Sequence, residues 1–432
     1  MKDGRADLTA AVSLAKINGS APARYADPLD PARTALVIVD MQGRPEEWRQ
    51  EPLRNTAANC RGLLSACPPR SIPVIHVVLG CWTRHARELS REKKRWTALV
   101  RDRGRRSLRH IADHPVLPGL EPNHGEIVQQ KTSAGAFATT GLAGLLHNMD
   151  VRDLVVCGQI SHGCAGGTAI EAAGWGYVVT MADDASAAPG DQPGHLAFLR
   201  LFQQFVGRVW SSDDVIRRLN GNPTADAPAP APKADLTPTI SLADITGNKH
   251  EVWDHRPAPD ATCLLVVDMQ GPPEPWECEP FASVLRNCRR LLEAARTAGL
   301  PVFHVHSRDP ETGGQPGAGP VLPGLAPATG ETVLQPAAGG AFATTGLAGL
   351  LHTMGVRDLI LCGQRTYDSL LRIGNEAAHW GYAVTVTEDA SAAPASREAH
   401  LVVLRFFDQV WGRVRSTDDV IRELTPGPVS RV

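Results

Sequence analysis

The sequence predicts an α/β protein made of two copies of one domain, each with a mainly parallel sheet that helices cover on both faces. At 432 residues the chain is long enough for two or three domains. Long segments of it occur twice. Within each copy, apolar β-branched runs alternate with helical segments, which is the pattern of parallel α/β folds.

The repeat is a tandem duplication with unequal spacing. The segment GAFATTGLAGLLH occupies residues 135–147 and again 340–352, an offset of 205. A VDMQG motif ends at Gly43 and again at Gly271, an offset of 228. The first copy therefore carries 23 additional residues, which fall after His76 and before its VLPGL motif.

A linker separates the copies. Pro and Ala alternate through NPTADAPAPAPKADLTPT at residues 222–239, a composition typical of an extended, semi-rigid spacer. The predicted domains are therefore residues 1–221 and 240–432.

The elements of the first copy follow an irregular N-terminal arm. The run TALVIVD is continuous, apolar and β-branched, as expected of a strand buried on both faces. Ligand sites of such sheets lie beyond the carboxyl ends of the strands. The expected strands are 34–40, 72–78, 126–130, 153–157, 177–183 and 207–211, and the expected helices are 53–66, 140–149, 164–174 and 194–205.

Composition excludes several classes of protein. The chain is 43% hydrophobic and 21% charged with a formal net charge of −2, which gives no reason to expect a nucleic-acid or membrane partner. No apolar run approaches the roughly 18 residues that a membrane span needs. The N-terminus lacks the apolar core of a signal peptide. Nine cysteines without a CxxC pair indicate a reducing cytoplasm.

Three polar residues follow strands at the carboxyl edge of the first predicted sheet. Asp40 ends the first strand, Lys131 directly follows the third, and Cys164 stands at a strand-to-helix turn. A helix N-terminus favours thiolate, so these side chains suit a base, a charge partner and a nucleophile. Each alone has another interpretation: a helix N-cap, a solvated loop lysine and a buried core cysteine.

The motifs TALVIVDMQ, KTSAGAF and GQISHGCAGGTAIEAAGWGY resemble the isochorismatase-like cysteine hydrolase family over nearly all of both copies. The resemblance implies three-layer, Rossmann-like α/β/α domains with a six-stranded mainly parallel sheet. It also implies a catalytic triad of Asp40, Lys131 and Cys164. A cis peptide between Gln159 and Ile160 would turn the amides of Ile160 and Cys164 inward as an oxyanion hole.

The resemblance implies hydrolysis of a C–N bond in a small amide, ureido or carbamoyl compound. Asp40 would take the thiol proton, and Cys164 would form a thioester that water then releases. One alternative is vinyl ether hydrolysis, or other acid–base chemistry of secondary metabolism, by Asp40 and Lys131 alone. A further alternative is a binding or scaffold protein without catalysis.

No metal or cofactor is expected. Metal-binding members of the family carry an Asp-x-His group after the second strand. At that point this chain reads HVVLGCWTRH in the first copy and HVHSRDPE in the second.

The residues around the thiol give weaker expectations. The basic segment 81–110 is either a solvated surface helix or a lid that brings Arg84 to an anionic substrate. His162 either bonds substrate or faces solvent. His195 and His400 occupy matching positions in both copies, which indicates a structural role. The candidate substrate-binding residues are Gln42, Trp48, Trp82, Phe137 and His162.

The second copy lacks two of the three polar residues. Pro336 stands at the position of the lysine and Ser369 at that of the cysteine, while Asp268 keeps the carboxylate. A proline carries no charge, and a serine without a lysine is a poor nucleophile. The sequence therefore predicts a degenerate second site.

A retained but inactive copy suggests a structural role. We expect it to replace a partner subunit in an intramolecular pseudo-dimer, which leaves room for further homo-dimerisation. Trp276 or Tyr367 are candidates to lend a wall to the first site.

Overall fold

The computed structural model describes residues 5–19, 23–43, 46–67, 72–79, 116–220, 231–247, 256–307, 319–337 and 340–425. The basic segment 81–110, with Trp82 and Arg84, lies outside the described residues. The chain divides into a first unit, Val12–Asp244, and a second unit that combines Met1–Ala11 with Ile245–Val432. The division differs from the sequence-based domains at their borders. Residues before Val12 group with the second copy, and the described part of the linker groups with the first.

The first unit is built on a six-stranded sheet in the order β4-β3-β2-β5-β6-β7, with every neighbouring pair parallel. A separate two-stranded sheet pairs β1 with β8 of the linker segment. The strands are β1 (Ala11–Ser13), β2 (Thr34–Val39), β3 (Val74–Leu79), β4 (Ile127–Lys131), β5 (Asp153–Gln159), β6 (Val178–Ala187), β7 (Arg208–Trp210) and β8 (Thr239–Ser241), and the helices are α1 (Leu53–Ser65), α2 (Leu142–Asn148), α3 (Cys164–Gly174), α4 (Gln192–Phe205) and α5 (Ser212–Leu219).

The second unit repeats the same topology, with strand order β11-β10-β9-β12-β13-β14 and parallel pairing throughout. Its strands are β9 (Thr262–Val267), β10 (Val302–Val305), β11 (Thr332–Leu334), β12 (Asp358–Gln364), β13 (Ala383–Ala392) and β14 (Arg413–Arg415), and its helices are α6 (Phe281–Thr297), α7 (Ala341–Thr344), α8 (Leu347–Thr353), α9 (Leu371–His379), α10 (Arg397–Phe406) and α11 (Thr417–Leu424).

The predicted fold class is confirmed: two parallel six-stranded sheets with flanking helices. All six residues of β2 are buried, as its unbroken apolar run predicts for a central strand. None of the helices that the structure describes is long and apolar enough to cross a bilayer.

The sequence analysis missed the last helix of each copy. Ser211 caps α5 by accepting a hydrogen bond from the Asp214 N–H, and Ser416 caps α11 in the same way from Asp419. Acidic residues fill the first turn of both helices, where they favour the helix dipole. The signal was present in the repeated motifs SSDDVIRRL and STDDVIREL.

One glycine positions the carboxyl edge of each sheet, Gly158 in β5 and Gly363 in β12. Gly158 has φ +116°, and a Cβ there would collide with the carbonyl of Val39 at the end of β2. Gly363 has φ +123° and stands in the same relation to Val267. Only glycine permits this close approach, which brings the end of β5 beside the residue that follows β2.

The linker is anchored where the structure describes it. The N–H groups of Lys233 and Ala234 both donate to Asp183 Oδ2 at 2.7 Å. In the second unit the Ala6 N–H donates to Glu388 Oε2 at 2.8 Å. The described linker residues, 231–239, are therefore held against the first unit, whereas the Pro/Ala composition predicts only an extended, semi-rigid spacer.

Candidate active site

The structure brings Asp40, Lys131 and Cys164 together at the carboxyl edge of the first sheet. Asp40 follows β2, Lys131 ends β4, and Cys164 begins α3 after β5. Lys131 Nζ lies 2.7 Å from Asp40 Oδ2, and both side chains interact electrostatically with the Cys164 thiol. The lysine is 0% exposed, the aspartate 1% and the cysteine 5%. The expected alternatives of an N-cap and a solvated lysine do not describe these positions.

Asp40 is held by its backbone. Its φ of 49° lies in the left-handed region, which aspartate tolerates better than most residues. Its N–H donates to the Val77 carbonyl at 2.8 Å. Gln159 Nε2 donates to the carbonyls of Asp40 at 2.8 Å and Gln42 at 3.0 Å. The Gln159 side chain, at the end of β5, thus holds the turn at residues 40–42 that presents the Asp40 carboxylate.

Lys131 keeps its charge although it is fully buried. Burial by itself lowers the pKa of an ammonium group. The Asp40 carboxylate and the Cys164 thiol outweigh burial, and the pKa of Lys131 is raised above its ordinary value. Nζ also donates to the Ser133 carbonyl at 3.1 Å. The side chain is therefore a fixed cation between the other two groups.

Cys164 is a thiol at neutral pH. Burial raises its pKa to about 12, Asp40 acts in the same direction, and the Lys131 ammonium opposes both. Burial and the adjacent carboxylate both oppose the thiolate that a helix N-terminus favours. The proton on Sγ must leave before the sulfur can attack a carbonyl.

The peptide between Gln159 and Ile160 is cis, as the family resemblance implies. Cys164 is the first residue of α3. The first N–H groups of a helix have no partner within the helix, so the Cys164 amide is a free donor by position. The geometry is compatible with the expected oxyanion hole of Ile160 and Cys164.

Phe137 does not lie beside the thiol. Its ring stacks on Trp175 with centroids 6.3 Å apart, and its N–H donates to Glu171 Oε2 at 2.9 Å. Because α3 is about 16 Å long, Trp175 and Cys164 lie at opposite ends of it. Phe342 of the second unit stacks in the same way on Trp380. The structure gives Phe137 a packing role in place of the predicted substrate wall.

His162 is buried, so the expectation that it faces solvent is wrong. Its Nε2 lies 3.3 Å from Asp191 Oδ2. Burial, followed by the neighbouring His195, lowers the pKa of His162 to about 3. The ring is neutral at physiological pH, and it sits two residues before the thiol.

The paired histidines make matching contacts in both copies. Ser161 Oγ and His195 Nδ1 are 2.9 Å apart, and Thr366 Oγ1 and His400 Nδ1 are 3.1 Å apart. This agrees with a structural role for both histidines.

Gln42 and Trp48 flank the segment that follows Asp40. Gln42 Oε1 accepts a hydrogen bond from the Leu79 N–H at 2.9 Å and so braces the end of β3. Trp48 is buried, and its indole lies so close to Gly43 that a Cβ there would collide with it. Trp48 therefore stays a candidate wall, while Gln42 has a bracing contact that the sequence did not reveal. Trp82 lies outside the described residues.

Among the described residues, no group of three or more His, Cys, Asp or Glu side chains could hold a metal ion.

The second copy satisfies its aspartate by other means. Asp268 again has a left-handed backbone, with φ 51°. Its Oδ1 accepts from the Ser307 N–H at 2.7 Å, and its Oδ2 accepts from the Ser369 hydroxyl. Burial raises the pKa of Asp268 although these donors oppose the shift.

A cation that the sequence analysis missed lies beside this carboxylate. Arg365 stands where the first copy has Ile160, and its Nη2 lies 3.9 Å from Asp268 Oδ2. The signal was visible in GQRTYDS, the counterpart of GQISHGC, where an arginine replaces the isoleucine. The second site has lost its lysine without losing every positive charge.

The isochorismatase domain matches the chain twice, over residues 34–214 and 262–419. The chain belongs to the isochorismatase family. This confirms the resemblance and the tandem duplication read from the sequence.

Several relatives within the isochorismatase family are known by name. An uncharacterised family protein of Bacillus subtilis (strain 168) is 26% identical over 182 residues, covering 37% of this chain and 99% of the relative. A streptothricin hydrolase of Streptomyces noursei is 35% identical over 139 residues, covering 30% of this chain and 53% of the relative. This chain thus matches about half of that hydrolase. A crystallised cysteine hydrolase from Pseudomonas syringae pv. phaseolicola 1448A is 23% identical, with 39% of this chain and 95% of that chain covered and a TM-score of 0.35.

Proposed function

We propose that this isochorismatase-family protein is a cysteine hydrolase that cleaves the C–N bond of a small amide, ureido or carbamoyl compound. The observation that carries the proposal is the buried Cys164 thiol in contact with the Asp40–Lys131 ion pair. Nucleophile, base and charge partner within hydrogen-bond reach of one another are the minimum set for acyl transfer. A streptothricin hydrolase among the relatives agrees with hydrolysis.

The first half of the reaction begins from the thiol. Asp40 takes the Sγ proton as the sulfur attacks the carbonyl carbon. The amides of Ile160 and Cys164 donate to the oxygen that becomes negative in the tetrahedral intermediate. The C–N bond then breaks, the amine leaves with the proton held at Asp40, and a thioester remains on Cys164. Lys131 stays protonated and stabilises the anionic groups.

The second half returns the enzyme to its starting state. A water molecule gives a proton to Asp40 and attacks the thioester carbon, assisted by the same two amides. The C–S bond breaks, and Sγ takes back the proton from Asp40. The acid leaves, and no cofactor enters the balance.

Replacing the nucleophile tests the proposal. In Cys164→Ser and Cys164→Ala we expect kcat for ammonia or amine release to fall at least about a thousandfold, since alanine cannot form an acyl-enzyme and a serine hydroxyl ionises far less readily than a thiol. Mass spectrometry of the intact protein, quenched during turnover, should show the acyl adduct on the wild-type chain and not on Cys164→Ala. A Cys164→Ala variant with a tenth or more of the wild-type rate would contradict the thioester route.

The second candidate is acid–base chemistry of the vinyl ether hydrolase type. It is favoured by one observation, that the Asp40–Lys131 pair is complete while the thiol stays protonated. The same variants separate the two, because this chemistry would survive Cys164→Ala and be lost in Asp40→Asn. Stoichiometric binding without turnover by either route would favour a binding or scaffold protein.

We further propose that the second copy acts as a structural pseudo-subunit in one chain. Its sheet and core persist although its triad does not. Expression of residues 12–244 tests this more sharply than residues 1–222, because the shorter segment lacks Lys233 and Ala234, whose N–H groups satisfy Asp183. A monomeric and fully active 12–244 would contradict the proposal.

The cytoplasm is the proposed location. All eight cysteines in the described part of the chain are free thiols, as expected for a reducing compartment. A small-molecule substrate, rather than nucleic acid or membrane, is the proposed partner.

A further inference from the structure

The second unit holds a cavity of about 250 Å³ at the carboxyl edge of its sheet. Asp268, Gln270, Gln364 and Arg365 supply its polar lining. Trp276 and Phe281 supply an aromatic wall, with ring centroids 5.6 Å apart. A small apolar cavity with a few converging polar groups is the usual form of a ligand site.

The hydrogen bonds of this cavity are rewired relative to the first copy. There, the Leu79 N–H donates to Gln42 Oε1 at 2.9 Å. Here the matching N–H, that of Ser307, donates to Asp268 Oδ1 at 2.7 Å. Gln270 Oε1 is left without a hydrogen-bond partner among the described residues, although the side chain is only 5% exposed.

An unpaired buried acceptor is a position that a ligand can satisfy. Leaving such a group without a partner costs about 1–3 kcal/mol. A bound molecule with an N–H or O–H donor aimed at Gln270 recovers that energy. Because Gln270 lines the cavity, the donor would come from a cavity ligand.

The charges beside the cavity favour an uncharged molecule. Arg365 Nη2 lies 3.2 Å from Asp368 Oδ2 and 3.9 Å from Asp268 Oδ2. Arg372 Nε donates to the other oxygen of Asp368, Oδ1, at 2.9 Å. Two carboxylates therefore balance two guanidinium groups, and these four groups leave no net positive charge for an anionic ligand. The Arg365 guanidinium has five N–H donors, so it can still bond a neutral carbonyl oxygen.

We propose that the second unit is a binding site for a small uncharged amide with a flat apolar body. The amide N–H donates to Gln270 Oε1, and its carbonyl accepts from Arg365. The apolar body packs against Trp276 and Phe281, whose rings favour a flat partner.

The site binds its ligand without cleaving it. Ser369 stands in place of the nucleophilic thiol and already donates its proton to Asp268. Pro336 stands in place of the lysine. The inference does not depend on hydrolysis in the first unit, because it rests on contacts within the second unit alone.

Binding of benzamide and benzoate to the full-length Cys164→Ala chain tests the proposal. The two probes have the same ring, but benzoate is charged and has no N–H donor. Titration by calorimetry should show saturable binding of benzamide. One component of this binding, assigned to the cavity of the second unit, should have an affinity at least about tenfold weaker in Gln270→Leu and in Arg365→Leu. Benzoate should bind that component at least about tenfold more weakly than benzamide.

Arg290→Leu is the matched control. It removes a guanidinium from α6 of the same unit, where Arg290 pairs with Asp418 on the exposed surface. It should leave the affinity for benzamide unchanged. Thermal unfolding of each variant shows that the second unit is folded.

Three results would overturn the proposal. The first is no saturable binding of benzamide to the Cys164→Ala chain. The second is equal affinity in the parent, Gln270→Leu and Arg365→Leu, which would place all binding elsewhere. The third is tighter binding of benzoate, which would make the cavity an anion site.

Discussion

The two copies place the same buried aspartate at the same strand end and satisfy its charge in opposite ways. Asp40 faces the ammonium of Lys131 at 2.7 Å, while Asp268 accepts a backbone N–H and a hydroxyl proton. A buried carboxylate needs one or the other solution, because an uncompensated charge in the interior is strongly unfavourable. Only the first solution leaves a carboxylate oxygen facing a thiol that can give up its proton.

The difference shows how the grouping of aspartate, lysine and cysteine can be lost while its scaffold survives. Once the lysine is replaced by a proline, the aspartate must recruit other donors. Ser307 supplies its N–H and Ser369 its hydroxyl, and both are within reach without a change in topology. The loss of the nucleophile and the loss of the lysine are therefore two parts of one rearrangement.

The largest expected effect comes from removing the ammonium. Lys131→Met leaves Asp40 buried beside an apolar side chain. Asp268 in the second copy is not in that position, because Ser307 and Ser369 donate hydrogen bonds to it. We expect the hydrolysis rate to fall at least about a thousandfold. The free energy of unfolding of the first unit should fall by about 3–5 kcal/mol. Steady-state kinetics and urea unfolding measure the two effects.

Pro336→Ala is the control at the matching position. The second unit has no ion pair there to break, so we expect a loss below about 1.5 kcal/mol and no change in hydrolysis. Equal losses in the two variants would show that the ammonium contributes no more than packing.

The next effect separates the charge of Asp40 from its role as base. The carboxylate helps to hold the pKa of Cys164 high, so Asp40→Asn should lower that pKa while Lys131 remains. Alkylation of Cys164 by iodoacetamide at pH 7.5 should become at least about tenfold faster, since each pKa unit is tenfold in thiolate. Hydrolysis should be lost, because no base takes the thiol proton.

Cys278 is the internal reference, since it is an exposed thiol in the same chain. In the wild-type protein we expect it to be alkylated faster than Cys164, as measured by peptide mass spectrometry. Labelling of wild-type Cys164 at the rate of Cys278 would show that the resting sulfur is ionised.

The grouping of Asp40, Lys131 and Cys164 could be predicted from the sequence because each of them follows a predicted strand. Apolar β-branched runs mark the strands, and a polar residue directly after a run must lie at the carboxyl edge of a parallel sheet. Asp40, Lys131 and Cys164 each stand at such a point. The family motifs then fixed which of the polar residues belong together.

Whether the Cys164 sulfur carries a proton could not be predicted in this way. The position of Cys164 at a helix N-terminus suggests thiolate, whereas its pKa depends on burial and on how close Asp40 comes. Both are outcomes of packing across three strands. Phe137 was misassigned for a related reason, because only the fold shows that it packs at the far end of α3.

The acid stability of the first unit should depend on a histidine that the second unit lacks at the matching position. Burial lowers the pKa of His162 to about 3 and that of His195 to about 4 in the first unit. The second unit has Tyr367 in place of the first histidine, and burial lowers the pKa of His400 to about 4. Burial also lowers the pKa values of His304 and His306 in the second unit, so the contrast at this site is confined to His162 and Tyr367.

The sign of the effect follows from proton binding. A histidine with a lowered folded-state pKa takes up a proton first in the unfolded state. Its contribution to the free energy of unfolding is fully present above about pH 6.5, and it is lost as the pH falls toward the folded-state pKa of the histidine. Each such group contributes a slope of about 1.4 kcal/mol per pH unit, or tenfold in the folding equilibrium.

His162→Tyr copies the second unit's residue into the first. We expect the loss of stability of the first unit between pH 6.5 and pH 4 to become smaller, by about one histidine's slope. Urea unfolding at pH 7, 5 and 4 measures it, and the comparison uses the slope so that a uniform packing change cancels. A parallel shift at all three pH values would mean that His162 does not titrate on unfolding.

The smallest effects are expected where the copies agree. Arg5 pairs with Asp419 at 2.7 Å and Lys233 with Asp184 at 3.1 Å, with 61% and 58% of the cationic side chains exposed. Exposed ion pairs of this kind contribute less than about 1 kcal/mol, so Arg5→Ala and Lys233→Ala should each lower stability by less than that and by similar amounts. Urea unfolding of the full chain, repeated in high salt, measures both. A loss above about 2 kcal/mol in one variant alone would show that the copies differ outside their sites as well as within them.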